Sequence, residues 1–185
     1  MKNIISLFIL VACLIIAASS AYAVECPEEG GSFPELLLPV PQDAAHKDYL
    51  GIQEKGSFKI SEIKAPVVIV EIFSMYCPYC QKEAPLVNEL YNEIDKRDLE
   101  GKIKIIGIGA GNTPFEVQFF KKQYDIAFPL FPDETFAVHK AIGDVRTPYF
   151  FVFETGGESR IFYSKAGSIE DPKKFLDLII KKTGI

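Results

Sequence analysis

The chain has 185 residues, a formal charge of −5 and 48% apolar residues, among them 15 Phe and 8 Tyr but no Trp. Its length fits a single domain, and its composition supports a partly aromatic core rather than a disordered chain. An acidic chain is a poor nucleic-acid binder, because that role needs a clustered basic surface, and Lys121-Lys122 and Lys181-Lys182 read as solvated helix ends.

Lys2 is the only charge before Glu25, residues 4–18 are apolar, and Ala21-Tyr22-Ala23 has the small-x-small pattern of a cleavage site. Residues 1–23 therefore read as a signal peptide. Two other readings fit. The uncharged run 4–24 is long enough to remain as an anchor, since about 20 residues span a bilayer. Leu10-Val11-Ala12-Cys13 also looks like a lipoprotein box, although Leu14-Ile15-Ile16 behind it is apolar. All three place the folded part outside the cytoplasm, with a bacterial periplasm as the expected compartment. There a close pair of thiols can form a disulfide. Cleavage would leave Cys26, Cys77 and Cys80, and the odd thiol must stay free, pair between molecules or exchange.

Residues 24–55 read as an irregular lead-in broken by Pro27, Gly30, Gly31, Pro34, Pro39 and Pro41. Residues 56–185 read as the folded domain, with a short strand at 57–60. Residues 67–73 form a nearly continuous β-branched run, the pattern of a central strand covered on both faces. A helix is expected over 78–96, with Leu86, Val87, Leu90, Tyr91 and Ile94 at helical spacing and a kink at Pro85. A second buried strand covers 103–108. Asn112-Thr113-Pro114 opens a helix to about residue 124. An extended piece at 128–131 precedes a helix from Pro132-Asp133-Glu134 to near Gly143. Strands at 148–153 and 160–163 flank the hairpin signal Thr155-Gly156-Gly157. Asp171-Pro172 starts a last amphipathic helix, and Phe119-Phe120 and Phe150-Phe151 read as core. This order defines an α/β fold with a mixed sheet and helices on both faces.

Cys77-Pro78-Tyr79-Cys80 lies where a buried strand gives way to a helix. Cys77 would sit at the helix N-terminus, where unpaired amides and the dipole favour a thiolate. Cys80, one turn on, could reach back to resolve a mixed disulfide. A structural zinc site needs about four ligands, and the other soft candidates are only Cys26, His46 and His139. Glu71 is the only charge in the run 67–73. A buried, unpaired carboxylate there would have a raised pKa and could exchange a proton with Cys80. The alternative is an edge position with Glu71 in solvent. Thr147-Pro148 begins a later strand, where proline is tolerated.

These residues resemble the thioredoxin-fold disulfide oxidoreductases, and within them the extracytoplasmic TlpA/ResA-like group. Val70-Glu71-Ile72-Phe73 before Cys77-Pro78-Tyr79-Cys80 looks like that family's strand and active-site helix. Pro85 falls at its helix-kinking proline, Glu71 at its buried acid and Thr147-Pro148 at its cis-proline loop. Residues 101–142 correspond to the group's inserted helix and strand. There are departures: the Trp-Cys motif is absent, Phe73-Ser74 before the CPYC motif is closer to DsbA-type oxidants, and Thr before the proline occurs in DsbC/DsbG-like isomerases.

The resemblance implies a thiol-disulfide oxidoreductase acting on protein substrates, with Cys77 attacking, Cys80 resolving and Glu71 managing the proton. It further implies that Thr147, Pro148, Tyr76 and Tyr79 contact the substrate chain. The expected direction is reducing, with a membrane electron donor, no metal or organic cofactor, and a monomeric protein. The alternatives are a Dsb-like oxidant or isomerase and, in another class, a Sco-like copper carrier. A peroxidase fits less well, since Ser74-Met75-Tyr76-Cys77 matches a Thr-x-x-Cys arrangement only loosely. Cys26 reads as a passive cysteine of the lead-in, His46 as a loop residue and His139 as a packing or surface residue.

Overall fold

The computed structural model describes residues 24–53 and 55–185; the signal-peptide reading of residues 1–23, with Cys13, lies outside them. The lead-in is not irregular throughout. Leu37–Pro39 forms β1, Ala44–Leu50 forms α1 and Ser57–Lys59 forms β2. β1 and β2 pair antiparallel with Leu38 opposite Phe58, both buried. The Asp43 side chain accepts the Ala45 amide to start α1, and Gly51 ends it in the left-handed region at φ +68°. His46 therefore lies on a helix, not in a loop, with Nε2 2.9 Å from Lys121 Nζ.

The main sheet contains β3 (Val67–Phe73), β4 (Ile103–Ala110), β5 (Leu130–Asp133), β6 (Tyr149–Glu154) and β7 (Ile161–Ala166). Its order is β5-β4-β3-β6-β7. The pairs β3–β4 and β4–β5 are parallel, while β3–β6 and β6–β7 are antiparallel. β3 is thus central, and all seven of its residues are buried. This is the mixed α/β sheet of the thioredoxin fold.

The period-2 pleat divides β3 between two cores. Ile69 and Phe73 pack with residues of α2 (Pro78–Lys96), α3 (Pro114–Gln123) and the C-terminal helix Pro172–Thr183. Val68, Val70 and Ile72 pack with the lead-in residues Phe33, Leu38, Leu50 and Phe58. Phe33 stacks on Phe153 at 4.2 Å, so the lead-in covers this sheet face together with Val138 and Ile142. Burying one such ring contributes about 1.5–3 kcal/mol. Tyr49 of α1 extends this cover, its hydroxyl accepting the Ile105 amide at 2.8 Å.

The expected helix from Pro132 is displaced. Pro132 and Asp133 belong to β5, an edge strand, where a proline needs no ladder partner on its outer side. The helix α4 is only Ala137–Ala141, and buried Asp133 accepts the Val138 and His139 amides at its start. The C-terminal helix Pro172–Thr183 is α5, capped by Asp171. Phe120, Phe150 and Phe151 are buried as expected, but Phe119 is 51% exposed. Adjacent helix positions diverge by about 100°, so α3 can bury only one of its two phenylalanines.

Candidate active site

β3 ends at Phe73, and a short turn delivers Cys77 to the start of α2. Cys77 is the N-cap residue, with extended backbone, no side-chain cap bond and Pro78 in the first turn. Pro78 has no amide to satisfy, and the remaining amides of that turn face the sulfur region. The turn itself is tied down from two sides. Buried Asn112, beyond the end of β4, accepts the Met75 amide at 2.9 Å, and Gln81 Nε2 donates to the Met75 carbonyl at 2.9 Å. The Asn112 Nδ2 has no partner among the described residues.

The two sulfurs occupy different environments. Cys77 is partly exposed, and its thiol donates to the Thr147 carbonyl at 3.3 Å. Burial pushes its pKa up, but hydrogen bonds outweigh this and leave it below the usual thiol value. The stabilising donors are the Thr147 and Cys80 side chains and the Cys80 and Tyr79 amides. A carbonyl cannot stabilise a thiolate, so the Thr147 oxygen is a partner of the neutral thiol only. Cys80 is fully buried, and desolvation pushes its pKa well above the usual thiol value, helped by Glu71 and Cys77. Both are free thiols, as is Cys26.

Glu71 is 3% exposed on the central strand, so the edge-and-solvent alternative does not hold. It pairs with Gly107 on one side and Phe150 on the other. Its Oε1 has no partner among the described residues. Burial pushes its pKa up to about 8, with Glu83 and Cys77 adding to the shift. Glu71 therefore carries a proton at neutral pH, in the same core face that holds Cys80. That is the arrangement of a proton reservoir for a buried thiol.

The Thr147-Pro148 peptide bond is cis and lies beside Cys77. Two cavities open on either side of it. One, of about 430 Å³, lies between Tyr79, Lys82 and Leu86 of α2 and Arg146, Thr147 and Pro148. The other, of about 510 Å³, is lined by Ser74, Tyr76, Phe136, His139, Arg146 and Thr147. Gly111 sits at its edge with φ +66°, and a Cβ there would overlap the Phe136 ring. Tyr76 and Tyr79 are 65% and 71% exposed, and the Tyr76 hydroxyl donates to Glu116.

The structure thus gathers Cys77, Cys80, Glu71, Thr147, Pro148 and Tyr79 at one end of the sheet, with Tyr76 on the far side of the proline. Sequence reasoning missed Glu83, Asn112 and Arg146. Glu83 is 2% exposed and accepts the Ile169 amide at 2.8 Å. Its signal was present, because Glu83 shares a helical stripe with Cys80 and Val87. Cys26 is outside this group, 3.2 Å from the Tyr149 hydroxyl and packed on the lead-in core. Among the described residues, no three of His, Cys, Asp and Glu gather as metal ligands.

The fold and this site define a thioredoxin-fold protein with a pair of thiols at a helix start. The chain belongs to the AhpC/TSA family, whose model matches residues 30–165. It is 30% identical over 105 residues to the thiol-disulfide oxidoreductase ResA of Bacillus thuringiensis subsp. konkukian, covering 57% of this chain and 58% of that protein. The ResA of Halalkalibacterium halodurans is 26% identical over 126 residues, 68% of this chain and 69% of that protein. The chain thus spans little over half the length of the first of these relatives. Among solved structures, a putative thiol:disulfide interchange protein DsbE from Chlorobium tepidum superposes with a TM-score of 0.63 at 14% identity, over 85% of this chain and 99% of that one. StoA from Bacillus subtilis gives 0.58 at 16% identity, over 79% and 96%. At such identities the structural likeness establishes the fold.

Proposed function

We propose that this protein is a thiol-disulfide oxidoreductase that acts on protein substrates outside the cytoplasm, in the reducing direction. One observation carries the reading: the asymmetry of the two thiols. Cys77 is accessible and acidified, whereas Cys80 is buried with its pKa raised. The Cys77 thiolate attacks a substrate disulfide and expels one substrate thiol. Cys80 then attacks the mixed disulfide, closing Cys77–Cys80 and releasing the second thiol. Two electrons pass to the substrate, and the Cys80 proton leaves through the minor ionised fraction of Glu71 and ends on a departing substrate thiolate. Thr147 and Pro148 hold the substrate chain, with Tyr76 and Tyr79 flanking it.

The same asymmetry supports the reducing direction. A strong oxidant is made by stabilising the reduced dithiol, as a very acidic first thiol does. Here the buried second thiol offsets any such gain, because a high-pKa thiolate is the better electron donor. Names of the ResA relatives support the activity. Each cycle leaves a disulfide that needs two electrons, so an extracytoplasmic reductase requires a donor at the membrane. Among the described residues no helix is long and apolar enough to cross a membrane.

The test is the reduction potential of the Cys77/Cys80 pair, in a Cys26→Ser background, against a glutathione series. A value near thioredoxin's, about −270 mV, is expected. A value near DsbA's, about −120 mV, would make the protein an oxidant or isomerase.

A further inference from the structure

Two bases flank the reactive end of the molecule without partners. Lys82, on the first turns of α2, and Arg146, immediately before Thr147-Pro148, both line the 430 Å³ cavity beside Cys77. Both are exposed, and neither forms an ion pair or hydrogen bond among the described residues. What sets these two bases apart is their place, since both line one cavity beside the cis-proline. The cavity floor between the two free bases is apolar, made by Leu86, Pro148 and Ala166, with the exposed Tyr79 ring at its edge.

Three acids near this end are engaged or lie on the other side. Glu83 lies in the same cavity wall, but it is buried and its Oε1 accepts the Ile169 amide. Glu116 takes the Tyr76 hydroxyl and the Thr113 amide. Asp144 lies 3.1 Å from His139 Nδ1, beyond the second cavity. The net charge of −5 would repel an acidic partner at long range. At close range, where exposed charges are screened beyond about 8 Å, the basic side chains lining this cavity are Lys82 and Arg146.

We propose that the groove on the Tyr79 side of Pro148 selects substrate segments that carry an acidic residue next to an apolar one, beside the reacting cysteine. This rests on the oxidoreductase reading above and names the substrate class of the same site. Arg146 presents a planar fork suited to a carboxylate, Lys82 adds a second donor across the groove, and the apolar floor takes the neighbouring side chain. The chemistry is two-electron exchange: the Cys77/Cys80 dithiol becomes a disulfide while the peptide disulfide becomes two thiols.

The experiment uses the full chain, reduced with dithiothreitol and freed of it. Disulfide-bonded peptides with one shared apolar residue and Asp, Asn or Lys beside the cysteine are compared by the second-order rate constant of single-turnover reduction. Hydroxyethyl disulfide is the uncharged control. The Asp peptide is expected to react about fivefold faster than the Lys peptide, the scale of exposed charge pairs. That ratio should fall towards one in Lys82→Gln/Arg146→Gln and at high salt. Equal rates for all three peptides, with the control still reduced, would overturn the acidic preference and leave the oxidoreductase reading intact. No reduction of the control or any peptide would overturn both.

Discussion

The outer rim of the site and its sealed interior are built from the same short stretch of chain but follow opposite rules. On the rim, Cys77, Tyr76 and Tyr79 meet solvent. In the interior, Cys80, Glu71, Glu83 and Asn112 are buried, with Glu71 Oε1 and Asn112 Nδ2 left unpartnered. Between Cys77 and Cys80 there is one helical turn, and the direction of the thiol pKa shift reverses across it. Helix-start amides and Thr147 favour the thiolate outside, whereas desolvation favours the neutral thiol inside. Under the proposed function, such a site offers one nucleophile at a time, the second acting only after the first has captured a substrate.

The largest way to sharpen this contrast is through Glu71. In the unfolded chain it titrates at 4.5, and in the fold at about 8. Between these values the native state holds a proton that the unfolded chain has released. Stability contributed by Glu71 is therefore greatest at low pH and falls as pH rises through that window. Glu71→Gln removes the slope. The stability of the variant minus wild type, from urea unfolding of the reduced proteins, is expected to grow by on the order of 3 kcal/mol between about pH 5 and pH 8.5. A difference that stays flat with pH would mean that Glu71 is ionised in the fold.

A far smaller effect is expected on the rim of the fold. Phe119→Ser should change stability by no more than about 0.5 kcal/mol in the same unfolding measurement, because the ring is 51% exposed. A loss of several kcal/mol would place Phe119 in the core alongside Phe120.

Much of this division can be read in the chain before folding. The β-branched run 67–73 marks the central strand, and α2 occupies Pro78–Lys96 as its apolar spacing requires. Cys77, Cys80 and Glu71 stand out because each breaks or ends such a pattern. The lead-in was opaque for a physical reason. Its proline density hides a three-residue strand and a seven-residue helix that owe their order to packing against the sheet. Pro132 misleads because the same residue suits a helix start and an edge strand, and only the sheet order decides. Asn112 reads locally only as part of a helix start, and Arg146 carries no local signature. Their roles depend on which loops the fold brings to the end of β3.

The most direct test of the central claim, one exposed nucleophile backed by a buried resolving thiol, is to trap the intermediate. Cys80→Ser and Cys77→Ser proteins, both in the Cys26→Ser background, are incubated with a disulfide-bonded protein substrate and examined by mass spectrometry. Cys80→Ser should accumulate a mixed disulfide through Cys77, and Cys77→Ser should form none. A mixed disulfide that forms through Cys80 in the Cys77→Ser protein would contradict the account.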